Sequence, residues 1–431
     1  MSGFQRLEID DRLTRHLQIK KIERPTEIQE RIIPAILRGK DVIGQSQTGT
    51  GKTLAFVLPI LTNINTESHK VQAVVTAPTR ELAEQLYQTF QMFINDGELP
   101  MENVRIRRVI GGTDKERNIA DLKKPPHIVI ATPGRLHDLV TKSNVLDVHQ
   151  VETFVIDEAD QMLDMGFIEP LDQVASRMPD DLQMLVFSAS IPKSLRPFLK
   201  KYMNQPRHVH VKPEEPSPQK LTHYLVPLKS RGREQLTLEM ASLLRPYLCL
   251  VFVNTKVEAE SLTDLFIANG IETECIHGGL SSRARKQAMR SIERAKTPFV
   301  ICTDLAARGM DIKGISHIIN VQLPSDLQYY LHRAGRTARA GASGEVYTIV
   351  EKDDYPALHQ LQKQRFFFHY LDIKKGEWRE IEQLGSGYAP GRDRFRKQAP
   401  SSSSGKPKKV KPGYKKKMKK AARGNQRRNK S

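Results

Sequence analysis

Eight short apolar runs, separated by stretches of helical periodicity, limit the folds open to this chain more than any other feature. Four lie in the first half, at residues 73–77, 128–131, 153–157 and 185–188, and four in the second, at 249–254, 298–303, 315–321 and 345–350. Runs of this length, apolar throughout, fit strands covered on both faces. Their alternation with helices is what a parallel sheet with crossover connections requires. The two halves read alike, and 431 residues exceed one comfortable core, so two α/β domains are expected. Residues 212–219 carry three prolines and few apolar side chains, as a linker does. No short internal repeat points to a solenoid.

Two segments carry chemistry. The first is Ser46-Gln47-Thr48-Gly49-Thr50-Gly51-Lys52-Thr53, a glycine-rich loop of the phosphate-binding type. Its glycines let consecutive N–H groups converge on phosphate oxygens, and the following helix adds its positive end. Lys52 supplies a cation to the β- and γ-phosphates, and the Thr53 hydroxyl can ligate magnesium. The second is Asp157-Glu158-Ala159-Asp160, which begins 105 positions after Lys52 (157 − 52). It follows Val155-Ile156, so its carboxylates belong at the carboxyl end of a buried strand, where ligands bind in open α/β sheets. Alone, the loop reads equally as a turn before a helix, and the acids as a solvated turn. Their order and shared strand-end placement point to a nucleoside triphosphatase that uses Mg2+.

Composition excludes other classes. The N-terminal dozen residues are polar, and no apolar run reaches membrane-spanning length, so a cytoplasmic chain is expected. Cys249, Cys275 and Cys302 are scattered in strand-like segments without zinc spacing and read as reduced, buried thiols. The net charge is +19, yet residues 389–431 hold 17 Lys or Arg against one acid, or +16, leaving about +3 for the rest. This Ser/Gly/Pro/Lys/Arg segment cannot bury enough apolar surface to order itself. A lysine run often only solvates. Beside a polyanionic partner, counterion release would make residues 406–430 a non-specific tether. Phe366-Phe367-Phe368 and Tyr370, near the expected end of the second domain at Asp372, can stack bases, but core packing is the favoured reading.

Further segments fall into register with the two sites. They are Arg24-Pro25-Thr26-Glu27-Ile28-Gln29, Pro78-Thr79-Arg80-Glu81-Leu82, Gly111-Gly112, Thr132-Pro133-Gly134-Arg135 and Ser188-Ala189-Ser190. The second half adds Val251-Phe252-Val253-Asn254-Thr255, Thr303-Asp304, Ala307-Arg308-Gly309-Met310-Asp311 and His332-Arg333-Ala334-Gly335-Arg336-Thr337-Ala338-Arg339. This ordered set resembles the DEAD-box family of ATP-dependent RNA helicases over about residues 2–370, and its short format with a basic tail is most similar to the bacterial cold-shock subgroup.

The resemblance implies two tandem RecA-like parallel-sheet domains with a disordered basic C-terminal tail. The implied boundaries are an adenine-reading segment at 1–30, an ATPase domain at 31–211, a linker at 212–219, a second domain at 220–372 and an RNA-binding tail at 373–431. It implies that Gln29 reads adenine, with Phe4 and Ile22 packing near the base, that the loop from Ser46 to Thr53 binds ATP, and that Asp311 contacts the ribose. Asp157 is implied to hold magnesium and Glu158 to position or deprotonate the attacking water. Arg336 and Arg339 resemble arginine fingers, and His332, Ser188 and Ser190 are implied to couple the site to domain closure. RNA is implied to run past Thr79, Arg80, Gly112, Thr132 and Arg135 on one domain and Thr255, Arg285, Thr303 and Arg308 on the other. Backbone amides, hydroxyls and arginines suit phosphates, hence sequence-independent binding to short duplexes or structured mRNA and rRNA. Cold-shock proteins are further possible partners, and a monomer is the default.

This sequence departs from the family at Ser46 (usually Ala or Gly), Lys21-Ile22 (Gly-Phe), Ser190 (Thr), Ala338 (Gly) and Ser282 (often Gln). None of these removes a catalytic group. The rival readings are an ATP-gated RNA clamp, a DNA helicase, and a scaffold that relies on the tail.

Overall fold

The protein, seen as a computed structural model, is described at residues 3–46, 49–95, 101, 103–112, 119, 122, 124–211, 221–294, 297–307, 310, 312, 314–324, 326–338 and 343–384. Two sheets dominate it. The first contains β1 (Val42–Gln45), β2 (Ala73–Thr76), β3 (Ile106–Val109), β4 (Ile128–Ala131), β5 (Thr153–Ile156), β6 (Gln183–Ser188) and β7 (Arg207–His210) in the order β3-β4-β2-β5-β6-β1-β7, and every pair is parallel. The second contains β8 (Leu221–Pro227), β9 (Cys249–Val253), β10 (Thr273–Ile276), β11 (Phe299–Thr303), β12 (His317–Asn320), β13 (Gly344–Val350), β14 (Phe368–Lys374) and β15 (Glu377–Glu380) in the order β10-β11-β9-β12-β13-β8-β14-β15. Position by position, β10 through β14 repeat the order of β3 through β7. The expected pair of α/β domains is therefore a topological duplication.

Both faces of the first sheet are packed, which explains the unbroken apolar runs. Along β2 and β4, Ala73, Val75, Ile128 and Ile130 enter one core, while Val74, Val129 and Ala131 enter the other. In the second sheet, Cys249, Val251, Val253, Phe299 and Ile301 face a core closed by Leu262 and Phe266 of the helix Lys256–Ala268.

All eight expected strands are present, with ends shifted by a residue or two. The strands that the apolar pattern misses include β3, which exposes Arg107 and Arg108, and β7, where only Val209 is buried. These lie at or next to sheet edges, where one polar face is tolerated. The pattern also misses β1, between β6 and β7, because Gly44 and Gln45 interrupt its short apolar run.

Two expected boundaries are corrected. The helix Glu27–Leu37 runs straight through the division at residue 30. The division at Asp372 falls inside β14, which pairs with β8 through Tyr370 and then turns back antiparallel into β15. Asp372 is itself anchored, 2% exposed, by Lys229 and by Arg231 at 2.8 Å. Residues 373–384 thus belong to the second sheet's edge rather than to a tail, and residues 385–431 lie outside the described residues. The aromatic segment is likewise only partly core. Phe366 and Phe368 pack edge-on against His223 at 5.4 and 5.9 Å, Tyr370 is half-buried, and Phe367 is 54% exposed. The cysteines are free, with Cys249 and Cys302 buried and Cys275 only half-buried.

The departures at Lys21 and Ala338 have a backbone meaning. Their φ values are 60° and 57°, in the left-handed region where glycine is at ease. A side chain there costs about 1–2 kcal/mol, partly offset by the greater freedom glycine has when unfolded. Lys21→Gly and Ala338→Gly should each leave stability unchanged or raise it by up to ~1 kcal/mol, read as the urea unfolding midpoint.

Candidate active site

The loop after β1 turns through Gly49 and Gly51, with φ of 87° and 93°. A side chain at Gly51 would also meet the Gln29 amide at 2.5 Å. This turn delivers Lys52 as the first residue of the helix Lys52–Asn63. Its ammonium is buried and lies 3.0 Å from Glu158 Oε1, across from the end of β5. Glu158 sits in left-handed backbone, φ 53° and ψ 52°, a strained conformation of the kind that gathers at functional sites. The loop and the acids, 105 positions apart in sequence, therefore meet at the carboxyl edge of one sheet.

Three acids are buried here, and each is handled differently. Glu158 has Lys52 on Oε1 and the Gln161 amide, donating from Nε2 at 3.3 Å, on Oε2. Asp160 accepts the Ser190 N–H at 2.9 Å and the Ser190 hydroxyl at 3.0 Å, while its own N–H donates to Ser188 Oγ at 3.0 Å. Among the described residues Asp157 accepts the Glu158 N–H at 3.0 Å. Burial, then the neighbouring Glu158 charge, push its carboxyl up to about 7 against the pull of Lys52. For Lys52, burial acts downward, but Glu158 and then Asp157 outweigh it and its pKa is raised. The site is short of positive charge. With Asp157 and the Thr53 hydroxyl as hard oxygen donors, it fits a magnesium ion that takes its remaining ligands from phosphate and water.

The segment expected to read adenine reaches the same edge. Gln29 Oε1 accepts the Thr26 N–H at 3.0 Å, and Nε2 donates to Gly51 O at 2.9 Å, joining this segment to the phosphate loop. Ser46 is buried, with its hydroxyl 2.8 Å from that of Thr50. Ile22 is half-buried against the core. The expectation for Phe4 is corrected: it is 1% exposed inside the first domain's core, so it supports the segment from beneath and has no surface to offer a base. Gln47, Thr48, Arg308, Asp311 and Arg339 lie outside the described residues.

The predicted RNA contacts of the first domain gather at its own strand ends. Thr79 caps the helix Arg80–Ile94, its hydroxyl accepting from the Leu82 N–H at 3.2 Å. Thr132 follows β4 and accepts the Gly111 N–H at 3.1 Å. Gly112, at φ 75°, extends that turn, and Arg80 is exposed beside Gly111. Arg135, half-buried, lies in the short helix Pro133–His137. Thr255 is the duplicate of Thr79. It follows β9, caps the helix Lys256–Ala268 and has φ −123° and ψ 156°, against −123° and 159° for Thr79. Both place a helix N-terminus at the same position of their sheet, a favourable setting for a phosphate. Thr303 ends β11 and is buried.

The two domains touch through candidate residues. Arg285 pairs with Glu81 of the first domain through Nε at 2.5 Å and donates from Nη2 to Ala306 O at 2.8 Å. The Tyr329 hydroxyl donates to Asp164, and its ring lies edge-on to His332 at 5.8 Å. Arg336 donates to Met310 O at 3.1 Å within its own domain.

Sequence reasoning missed Arg333, the residue after His332. Its guanidinium, 1% exposed, binds Asp304 at 2.6 Å through both Nε and Nη2, donates to Asn320, Gln322 and Asn254, and stacks over Phe252 at 5.0 Å. It fixes the strand ends that carry Thr255 and Thr303. Only its place beside His332, in the arginine-rich segment 332–339, hinted at it. Asp304→Ala should leave that charge unpaired and lower stability by about 3 kcal/mol. Asp172→Ala, at the exposed Lys201 pair, should leave the unfolding midpoint nearly unchanged. Urea titrations of both variants check the contrast.

Comparison with known proteins follows this geometry. Residues 26–198 match the sequence model described as DEAD/DEAH box helicase, and residues 234–341 match the helicase conserved C-terminal domain. The DEAD-box ATP-dependent RNA helicase CshB of Bacillus subtilis is 50% identical over 401 residues, spanning 91% of this chain and 90% of that one. The protein of the same description from Listeria monocytogenes is 45% identical over 398 residues, with the same coverage of 91% and 90%. Among solved structures, S. cerevisiae Dbp5 bound to RNA and ADP BeF3 is similar with a TM-score of 0.76 at 27% identity, over 86% of this chain and 96% of that one. Mss116 bound to ssRNA and UDP-BeF has a TM-score of 0.74 at 25% identity, over 87% and 81%.

Proposed function

Because this chain belongs to the DEAD-box family of ATP-dependent RNA helicases, we propose that its two RecA-like domains form one ATP site whose closure is shared with an RNA track. The family's activity is ATP hydrolysis coupled to RNA unwinding, and the roles that follow assign it to residues. The observation that carries the reading is the buried 3.0 Å pair of Lys52 and Glu158 at the carboxyl edge of the first sheet.

ATP enters at the loop 46–53, and Lys52 leaves Glu158 to neutralise the β- and γ-phosphates. Gln29 keeps one N–H and one lone pair beyond its bonds to Gly51 and Thr26, and these read the adenine edge. Asp157 and Thr53 hold magnesium, which offsets phosphate charge. Glu158, relieved of Lys52, orients the attacking water and receives its proton. Arg336 and Arg339 stabilise the charge developing on the transferred phosphoryl group from the second domain. Asp160, clamped by Ser188 and Ser190, and Tyr329 with His332 relay closure between the domains. Asp311 takes the ribose.

RNA phosphates lie over the twin helix N-termini capped by Thr79 and Thr255, with Arg80, Gly112, Thr132 and Arg135 on one side and Arg285, Thr303 and Arg308 on the other. Arg285 is poised for this, since it already joins the domains through Glu81. Closure bends one strand and opens a short duplex, and phosphate release lets the cleft reopen. The basic residues of 389–431 tether structured RNA or ribosomal particles without sequence preference. The natural setting is the cytoplasm, where cold stabilises RNA secondary structure and makes such an enzyme limiting. Among the described residues no helix is long and apolar enough to cross a membrane.

Steady-state ATP hydrolysis with and without single-stranded RNA tests the reading. RNA should raise turnover at least tenfold, and Glu158→Gln should lower it by about 10²–10⁴-fold. RNA-independent hydrolysis would overturn the coupling. Retention of RNA without separation of a short duplex would make the protein a clamp. Deleting residues 389–431 should weaken binding to structured RNA and flatten the fall of log K with log salt, while short single strands still stimulate turnover. An unchanged salt slope in a filter-binding titration would remove the tail from the RNA interface.

A further inference from the structure

The residue that follows the acidic run has no task in this scheme, yet it touches the proposed general base. Gln161 is 5% exposed, on the first turn of the helix Ala159–Asp164. Its Nε2 donates to Glu158 Oε2 at 3.3 Å. Its Oε1 is buried and meets no hydrogen-bond donor among the described residues. The amide's sense follows from Glu158, because turned over it would set Oε1 against a carboxylate oxygen, acceptor against acceptor. A buried amide used at one end only is a poor packing element, and an apolar side chain of the same length would fill the space without an orphaned acceptor. Packing therefore does not account for glutamine here, and its one bond goes to Glu158.

Glu158 is gripped at both oxygens, Oε1 by Lys52 and Oε2 by Gln161. These grips differ in lifetime. Lys52 is mobile in charge terms: phosphate oxygens compete for it as soon as nucleotide fills the loop. Gln161 is neutral and three residues along the same chain from Glu158, so no phosphate draws it away. We propose that Gln161 is a positioning residue for hydrolysis, holding the Glu158 carboxylate in its working orientation once Lys52 has moved to the nucleotide. The backbone gives such a grip a purpose, because Glu158 leaves the strand in left-handed conformation, which does not carry its side chain along the strand's alternation. A carboxylate that must meet a water in line with a phosphoryl group loses rate steeply when its direction is loose. The proposal rests on the role given to Glu158 above.

The test uses the full chain with Gln161→Leu and Gln161→Met, measured beside Glu158→Gln. ATP turnover is recorded at saturating single-stranded RNA, together with the ATP KM, the RNA concentration for half-stimulation and the melting temperature. In both Gln161 variants kcat should fall about tenfold, while KM and the RNA midpoint stay within about twofold and melting is not lowered. Parental kcat in a Gln161 variant that melts like the parent, with turnover lost in Glu158→Gln, overturns this proposal alone. Undiminished turnover in Glu158→Gln overturns the role of Glu158 and this proposal with it. A fall in kcat matched by lowered melting in both Gln161 variants assigns the residue to the fold and also overturns it.

Discussion

The contact between Lys52 and Glu158 is the constraint on which the rest of the first domain turns. Three carboxylates sit within four residues at the end of one buried strand, and burying them uncompensated would be prohibitive. The Asp160 carboxylate is satisfied by the Ser190 N–H and hydroxyl and by the Gln161 N–H, and Glu158 by a lysine brought from the helix after β1. Asp157 is left with burial and a like charge beside it, and its carboxyl is pushed up to about 7. The loop, the strand order and the helix beginning at Lys52 all serve to bring one cation to this place. The same deficit of positive charge suits the site to a nucleotide carrying its own cation.

The duplicated topology explains why there is one such site and not two. Arg233 opens the helix after β8 as Lys52 opens the helix after β1, yet it is spent internally. It donates to Val321 O at 2.7 Å and pairs with Glu351 of its own domain. Two residues past the end of β12, where the first domain has Glu158, stands the neutral Gln322, whose amide donates to Glu258 at 2.7 Å. The second domain has kept the sheet and the twin threonine cap but has filled the nucleotide position with its own side chains. What it can offer the first domain is its surface, and that is where Arg285, Tyr329 and His332 lie.

Much of this was legible because burial on both faces writes itself as apolar runs, and because the chemistry sits at the ends of those runs. Val155-Ile156 followed by Asp157-Glu158 located the acids correctly, and the glycines at 49 and 51 located the lysine. What was illegible depends on contacts that no local pattern encodes. Polar edge strands such as β3 look like loops, since arginine on a solvated face carries no period. Phe4 reads as a ligand contact until the core closes over it. Arg333 is one arginine among several until its carboxylate, 29 residues earlier, folds beneath it. Lys21 and Ala338 looked like neutral departures, and only their positive φ gives them a cost.

Four of the groups proposed to bind ligands are held, among the described residues, by protein partners of matching charge or polarity. Lys52 holds Glu158, Arg285 holds Glu81, Arg336 holds a carbonyl, and Gln29 holds the phosphate loop. Ligand binding is then an exchange of partners, not the filling of prepared space, and each exchange frees a group needed for the next step. Phosphate takes Lys52 and releases the general base. An RNA phosphate that takes up the free donors of Arg285 binds a residue already bridging the domains, so it strengthens closure only while Glu81 stays paired. An exchange of this kind has a small net free energy, because the bonds lost resemble those gained. On these roles, ATP or RNA alone would shift the balance little, and the two together would shift it further. Coupling between hydrolysis and RNA would then follow from the pairing of the side chains themselves.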